Sequence, residues 1–188
     1  MLRLLLICFL LFGLRNWNFA QVIQWEDALK LDPRVVFQLD CSEQKWDSLP
    51  PEIYQFTELK YLNLSKNKLK SLSSEIKQFE KLEKLDLGRN KFEVFPLAVC
   101  QLTQLKVLHL DRNAITLLPE QIAALQKLEI LDLYANGIEQ FGEGIFLLPH
   151  LRELNIEGVM YGTIFAKQLT SRLPNTKVLI DPPCKCLD

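Results

Sequence analysis

The chain has 188 residues and a mass of 21.8 kDa, enough for one domain with a full core and too little for two. Apolar residues make up 48% and charged residues 24%, which excludes a disordered chain and an all-membrane one. The formal net charge is −1, and two histidines, His109 and His150, leave little imidazole for proton-transfer or metal chemistry.

The N-terminus reads as an address. Arg3 precedes Leu4 to Leu14, an unbroken apolar run of 11 residues. That is short of the roughly 20 needed to cross a bilayer and suits the core of a signal peptide. Cleavage is expected near Ala20, leaving residues 21–188 exported (secreted, periplasmic or on the cell surface) without a transmembrane span. The alternative is an uncleaved leader on a cytoplasmic protein. The mature chain then carries 20 basic and 23 acidic residues, a balance that gives no footprint for nucleic acid or anionic lipid.

Residues 21–34 follow as an N-terminal cap. Val22, Ile23, Trp25, Ala28 and Leu29 have the spacing of a short amphipathic helix, halted by Asp32-Pro33.

A period of 23 residues organises what comes next. Leu59, Leu62, Leu64, Asn67 and Leu69 recur as Leu82, Leu85, Leu87, Asn90 and Phe92. They recur again as Leu105, Leu108, Leu110, Asn113 and Ile115, then as Leu128, Leu131, Leu133, Asn136 and Ile138. The second half of the unit repeats as well: Leu49-Pro50 with Ile53 and Phe56, Phe95-Pro96 with Val99 and Leu102, Leu118-Pro119 with Ile122 and Leu125. The L-x-L step has period two, so one short strand points both leucines inward and the residues between them outward. The asparagine turns the chain and, once buried, satisfies backbone groups of its neighbours. The I-x-x-L half fits a helical or 3₁₀ turn on the opposite side. A single unit cannot bury its own apolar face, whereas stacked units bury it jointly.

With L-x-x-L-x-L-x-x-N-x-L in four uninterrupted registers, the chain resembles the leucine-rich repeat family, in the subclass whose second half reads L-P-x-x-I. The resemblance implies an α/β solenoid: a horseshoe arc with a parallel concave β-sheet and a helical or 3₁₀ convex side. It covers about six units over residues 35–173. Residues 174–188 form a C-terminal cap strand, at Val178 and Ile180, and a tail; Pro182-Pro183 blocks further strand addition. The resemblance also implies a protein or peptide ligand and no catalysis. Missing cysteine-rich caps favour a bacterial-style exported member.

Cys41 occupies an inward leucine position and reads as a small buried hydrophobe. Cys100 aligns with Tyr54, Lys77, Ala123 and Phe146, a variable convex position. Cys184 and Cys186 form a C-x-C pair in the tail, either a local disulfide or free thiols; with no histidine or second pair nearby, no metal centre is expected. No motif calls for a cofactor. Asn63-Leu64-Ser65 matches a glycosylation acceptor but is the repeat strand written with those residues.

The register lists the outward strand positions. Gln38, Tyr61, Lys84, Val107, Ile130 and Glu153 form a first column; Asp40, Asn63, Asp86, His109, Asp132 and Asn155 a second. Ser42, Ser65, Gly88, Asp111, Tyr134 and Glu157 form a third, with Lys66, Arg89 and Arg112 beside it. No core requirement explains Val107, Ile130 and Tyr134 on a solvent face. With Tyr61, Lys84, Arg89, Asp111 and Arg112 around them they have the make-up of a binding hot spot. His109, between Asp86 and Asp132, is expected to make local charge sensitive to pH between about 5 and 7. The function predicted is a non-catalytic protein- or peptide-binding module using this face. The alternative is a structural or envelope-associated spacer.

Overall fold

Residues spaced by exactly three decide how each repeat returns. In the second repeat Ile53, Phe56 and Leu59 donate their N–H groups to the carbonyls of Pro50, Ile53 and Phe56 at 3.1, 3.2 and 3.3 Å. These are i→i−3 bonds, and three residues per turn stacks the three side chains on one face. All three are fully buried. The spacing selects 3₁₀ geometry over an α-helix, whose 3.6-residue turn would carry the third side chain off the core. The same turns occur at Ser74–Gln78, Leu97–Gln101, Glu120–Ala124 and Glu143–Leu147.

The computed structural model describes residues 21–159, 161 and 163–182. The expected leader, Cys184 and Cys186 therefore lie outside the described residues. Between the 3₁₀ turns run three-residue strands: β2 (Gln38–Asp40), β3 (Tyr61–Asn63), β4 (Lys84–Asp86), β5 (Val107–His109), β7 (Ile130–Asp132), β9 (Glu153–Asn155) and β10 (Lys177–Leu179). With β1 (Ile23–Gln24) at the N-terminal edge they form one eight-stranded parallel sheet in the order β1-β2-β3-β4-β5-β7-β9-β10. The result is an α/β solenoid, sheet on one side and 3₁₀ turns on the other. A second small pair, β6 (Leu117–Leu118) and β8 (Gln140–Phe141), forms where the chain leaves the asparagine turn.

Each asparagine of the repeat clamps two coils together. Asn67 Nδ2 donates to the carbonyls of Cys41 (2.8 Å) and Leu64 (3.0 Å), while its Oδ1 accepts from the Trp46 N–H (3.1 Å). Asn90, Asn113 and Asn136 repeat this one coil further on each time. The residue before each asparagine lies in the left-handed region: Lys66 at φ 56°, Arg89 at 54°, Arg112 at 51° and Ala135 at 53°. That conformation costs an L-residue roughly 1 kcal/mol, and it aims the asparagine inward.

The N-terminal cap departs from the expected helix. Only Trp25–Ala28 (α1) is helical, and Ile23–Gln24 instead pairs in parallel with Leu39 and Asp40 of β2. A free sheet edge offers these residues backbone partners that one helical turn could not. Trp25 and Ala28 are buried, Trp25 edge-on to Trp46 with ring centroids 5.1 Å apart, while Val22 and Leu29 are exposed. At the other end the spacing changes from three to four: Phe165 and Leu169 lie on α2 (Thr163–Arg172), a true α-helix, and Leu173 follows directly after it. Leu169 is fully buried and Phe165 packs on Phe141 with centroids 4.7 Å apart. The expected repeats through residue 173 therefore end on an α-helical segment, not on a 3₁₀ turn.

Asn136 is only 5% exposed and its bonds are made inside the stack. Asn136→Ala would orphan the Leu133 carbonyl and the Ile115 N–H and leave the Leu110 carbonyl to Asn113 alone, and is expected to cost about 2–3 kcal/mol in urea unfolding.

Candidate functional site

The outward positions stand in the expected columns, because the register is exact: Tyr61↔Lys84↔Val107↔Ile130↔Glu153 and Asn63↔Asp86↔His109↔Asp132↔Asn155. Parallel pairing without an insertion places each side chain about 4.8 Å from its neighbours on the adjacent strands.

Val107 and Ile130 are half-buried, side by side on β5 and β7. Tyr61 joins them through Lys84, whose Nζ sits 5.2 Å from the centre of the Tyr61 ring. Across the face Arg112 covers Tyr134 at the same distance, 5.2 Å. Each aromatic ring is thus held by a cation one strand away, a pairing that fixes both side chains without desolvating the charge. Arg89 joins neither pair; it belongs to the left-handed turn beyond the strand.

The second column owes its Asp and Asn residues to local structure. Asp40, Asn63, Asp86, Asp132 and Asn155 each accept, through Oδ1, the N–H of the residue two positions on, at 2.8–3.1 Å. These are Asx turns ending the strand. His109 is the column's exception, its Nδ1 lying 3.7 Å from Asp132 Oδ2. Burial works to raise the Asp132 carboxyl, but the His109 imidazole, the Tyr134 N–H and the charge of Arg112 outweigh it, and Asp132 titrates below the usual carboxylate range.

Asp111 behaves in the opposite way. A Cβ at Gly88 would fall 2.3 Å from Asp111 Oδ1, so glycine is what allows this carboxylate to lie over β4 beside Asp86. Burial, then the charges of Asp132 and Asp86, push Asp111 above its usual range against the opposing pull of His109 and Arg112. The centre of the face therefore carries negative charge that the fold compensates incompletely. Among the described residues no group of three or more His, Cys, Asp or Glu side chains is placed to hold a metal ion.

Two features escaped the sequence reading although the period contained them. The position before each strand alternates in sign: Lys60, Glu83, Lys106, Glu129, Arg152. Lys106 Nζ lies 2.7 Å from Glu83 and Arg152 lies 3.4 Å from Glu129, and Lys106 is the main reason the Glu83 carboxyl sits below its ordinary value. The other is the Asx-turn series. Both emerge when any column, not only the apolar ones, is read down at the repeat spacing. As for the cysteines, Cys41 is fully buried, which drives its thiol far up; Cys100 is half-buried on the 3₁₀ side, its thiol pushed up to about 11 by burial.

Residues 33–175 match the family model described as a leucine-rich repeat region. No curated protein matches the chain. Among solved structures, a leucine-rich repeat protein of Leptospira interrogans is 28% identical with a TM-score of 0.65, over 76% of this chain and 35% of that one. An internalin of Listeria monocytogenes is 17% identical with a TM-score of 0.62, over 79% of this chain and 44% of that one. TLR13, solved with ssRNA13, is 24% identical with a TM-score of 0.69, over 85% of this chain and 23% of that one. The chain thus spans less than half the length of each, and the last two likenesses show the fold alone.

Asp111→Asn should raise the melting temperature at pH 7 by a degree or two, on the scale of ~0.5 kcal/mol for a half-buried group. A carboxyl raised on folding is destabilising above its folded pKa. The advantage of Asn must therefore shrink as pH falls through that value and vanish below the ordinary Asp value near ~3.9. Thermal melts across that range check both signs.

Proposed function

We propose, for a chain that belongs to the leucine-rich repeat family, that it is a non-catalytic module recognising a protein or peptide on the concave sheet face. The observation that carries this is Val107 beside Ile130 on adjacent strands, flanked by the cation-held rings of Tyr61 and Tyr134. Apolar side chains on a solvent face contribute nothing to the core. Their removal from water by a partner is worth roughly 25 cal/mol per Å², and rings already immobilised lose little entropy when bound. The site comprises Tyr61, Lys84, Arg89, Val107, His109, Asp111, Arg112, Ile130, Asp132 and Tyr134.

A partner is recognised here through apolar contact framed by charge. Nucleic acid is a poor fit, because Asp86, Asp111 and Asp132 at the centre of the face repel a phosphate backbone. No cofactor enters this reading. The leader expected over residues 1–20 makes the compartment the cell exterior or envelope, and the mature chain then starts at Gln21. Among the described residues no helix is long and apolar enough to cross a membrane.

The test is a crosslinking capture from the envelope and medium of the producing cell, comparing the native chain with a Val107→Thr/Ile130→Thr/Tyr134→Ser variant. Threonine keeps the β-branched shape and adds no charge to an already acidic face. The native chain should capture a partner that the variant loses at least tenfold, with the two melting within ~3 °C of each other. Equal capture would remove the site from this face, and no capture by either would favour the spacer.

A further inference from the structure

The two edges of the strands treat charge in opposite ways. Ahead of the strands the sign alternates from coil to coil, and the pairs close at 2.7 and 3.4 Å. Beyond the strands, on either side of the asparagine ladder, it does not alternate. Lys66, Arg89 and Arg112 stack in one column, and Lys45, Lys68 and Lys91 in the next. All six are exposed. Lys66 has an ion-pair partner in Glu43 at 2.6 Å and Arg112 covers Tyr134, but Lys45, Lys68, Arg89 and Lys91 have no acidic partner among the described residues. Acids return one column further out, where Asp47, Lys70 and Glu93 alternate again.

Like charges stacked directly across neighbouring strands destabilise a sheet. Here they cannot swing far apart, because the backbone N–H groups of Lys66 and Arg89 are tied to the next coil at 2.9 and 2.8 Å. Four of these cations, Lys45, Lys66, Arg89 and Arg112, also occupy the strained left-handed position that glycine would fill without cost. Neither packing nor the turn asks for a cation at these sites.

We propose that this ridge is a second docking surface, for the acidic face of a helix in a protein partner. The ridge runs over four coils from Lys45 to Arg112, about 15 Å at strand spacing. That equals about three turns of an α-helix. Carboxylates at i, i+3 and i+4 on such a helix are about 5–6 Å apart, close to the coil repeat of about 4.8 Å. The two columns hold no aromatic side chain on which a base could stack and no apolar side chain to enter a bilayer. On its inner side the ridge is bordered by neutral Ser42, Ser65 and Gly88 and, in its last coil, by Asp111, and it ends where Ala114 and Ala135 replace the cations. The protein nature of the partner rests on the reading given above; the ridge itself does not involve Val107 or Ile130.

The experiment is an anisotropy titration of the chain with a labelled helical peptide of roughly 16 residues bearing glutamates along one face, at about 0.05 and 0.15 M salt. The native chain should bind it, more weakly at the higher salt. Arg89→Glu/Lys91→Glu should lose at least about tenfold, whereas Val107→Thr/Ile130→Thr, which leaves Tyr134 and the Arg112 packed on it in place, should bind as the native chain does, which separates this surface from the apolar centre of the concave one. Because Arg89→Glu creates the alternation seen on the other edge, that variant should melt roughly 1–3 °C higher, so lost binding cannot be lost folding. Undiminished binding by the double variant overturns the proposal, as does a lower melting temperature. Equal affinity for a peptide with its glutamates scrambled off one face overturns the helical geometry. Tighter, ridge-dependent binding of heparin, an oligonucleotide or phosphatidylserine vesicles overturns the choice of occupant.

Discussion

The asparagine ladder is the constraint on which the other features depend. A parallel solenoid leaves each coil with carbonyls that face inward after the strand, where no strand partner and no water can reach them. Asn67 and its three successors meet that need with one side chain per coil, donating to the carbonyls of two coils and accepting an N–H from the preceding one. Since each clamp spans adjacent repeats, the bond network couples every coil to the next, and stability propagates along the stack as nearest-neighbour terms. Aiming the asparagine inward requires the left-handed residue before it, and that residue is where the basic ridge stands.

Regularity on the inside leaves the outside open to variation. With inward leucines, 3₁₀ turns and asparagines fixed, each coil contributes three outward side chains, two on the strand and one just past it, that the fold barely constrains. Even there the second column is partly committed, because its Asp and Asn residues close Asx turns. His109 gives up that local role at the centre of the face, beside Asp132, on the strand that bears Val107 and next to the one that bears Ile130. The first and third columns are the freest, and they carry the apolar and aromatic residues. Charge follows the same logic. On one edge of the strands it alternates and neutralises itself, while on the other it accumulates.

Much of the fold and the columns of the candidate site could be read from the sequence because the period is exact. Once Leu62, Leu85, Leu108 and Leu131 are aligned, parallel pairing fixes every neighbour relation between Tyr61 and Glu153, and the structure places them in that register. The ends were less legible, because they lack a repeat to align with. Ile23 and Gln24 carry no signal that separates a one-turn helix from an edge strand; the free edge of β2 decides. Phe165, Leu169 and Leu173 do carry a signal, a change of spacing from three to four, but it stands outside the 23-residue period and has no second copy to align with.

What the sequence determined by itself is the periodic part: a side chain's facing follows from spacing, and spacing is a property of the chain alone. Tertiary structure alone decided what depends on atoms meeting across coils. Asp111 lies over Gly88, raising one carboxyl while Asp132 beside His109 falls, although both are aspartates on outward positions. Lys84 reaches back over Tyr61 and Arg112 reaches forward over Tyr134. Two identical residue types diverge because electrostatics and packing act through distance in space, which stacking creates and which the order of residues along one coil does not contain.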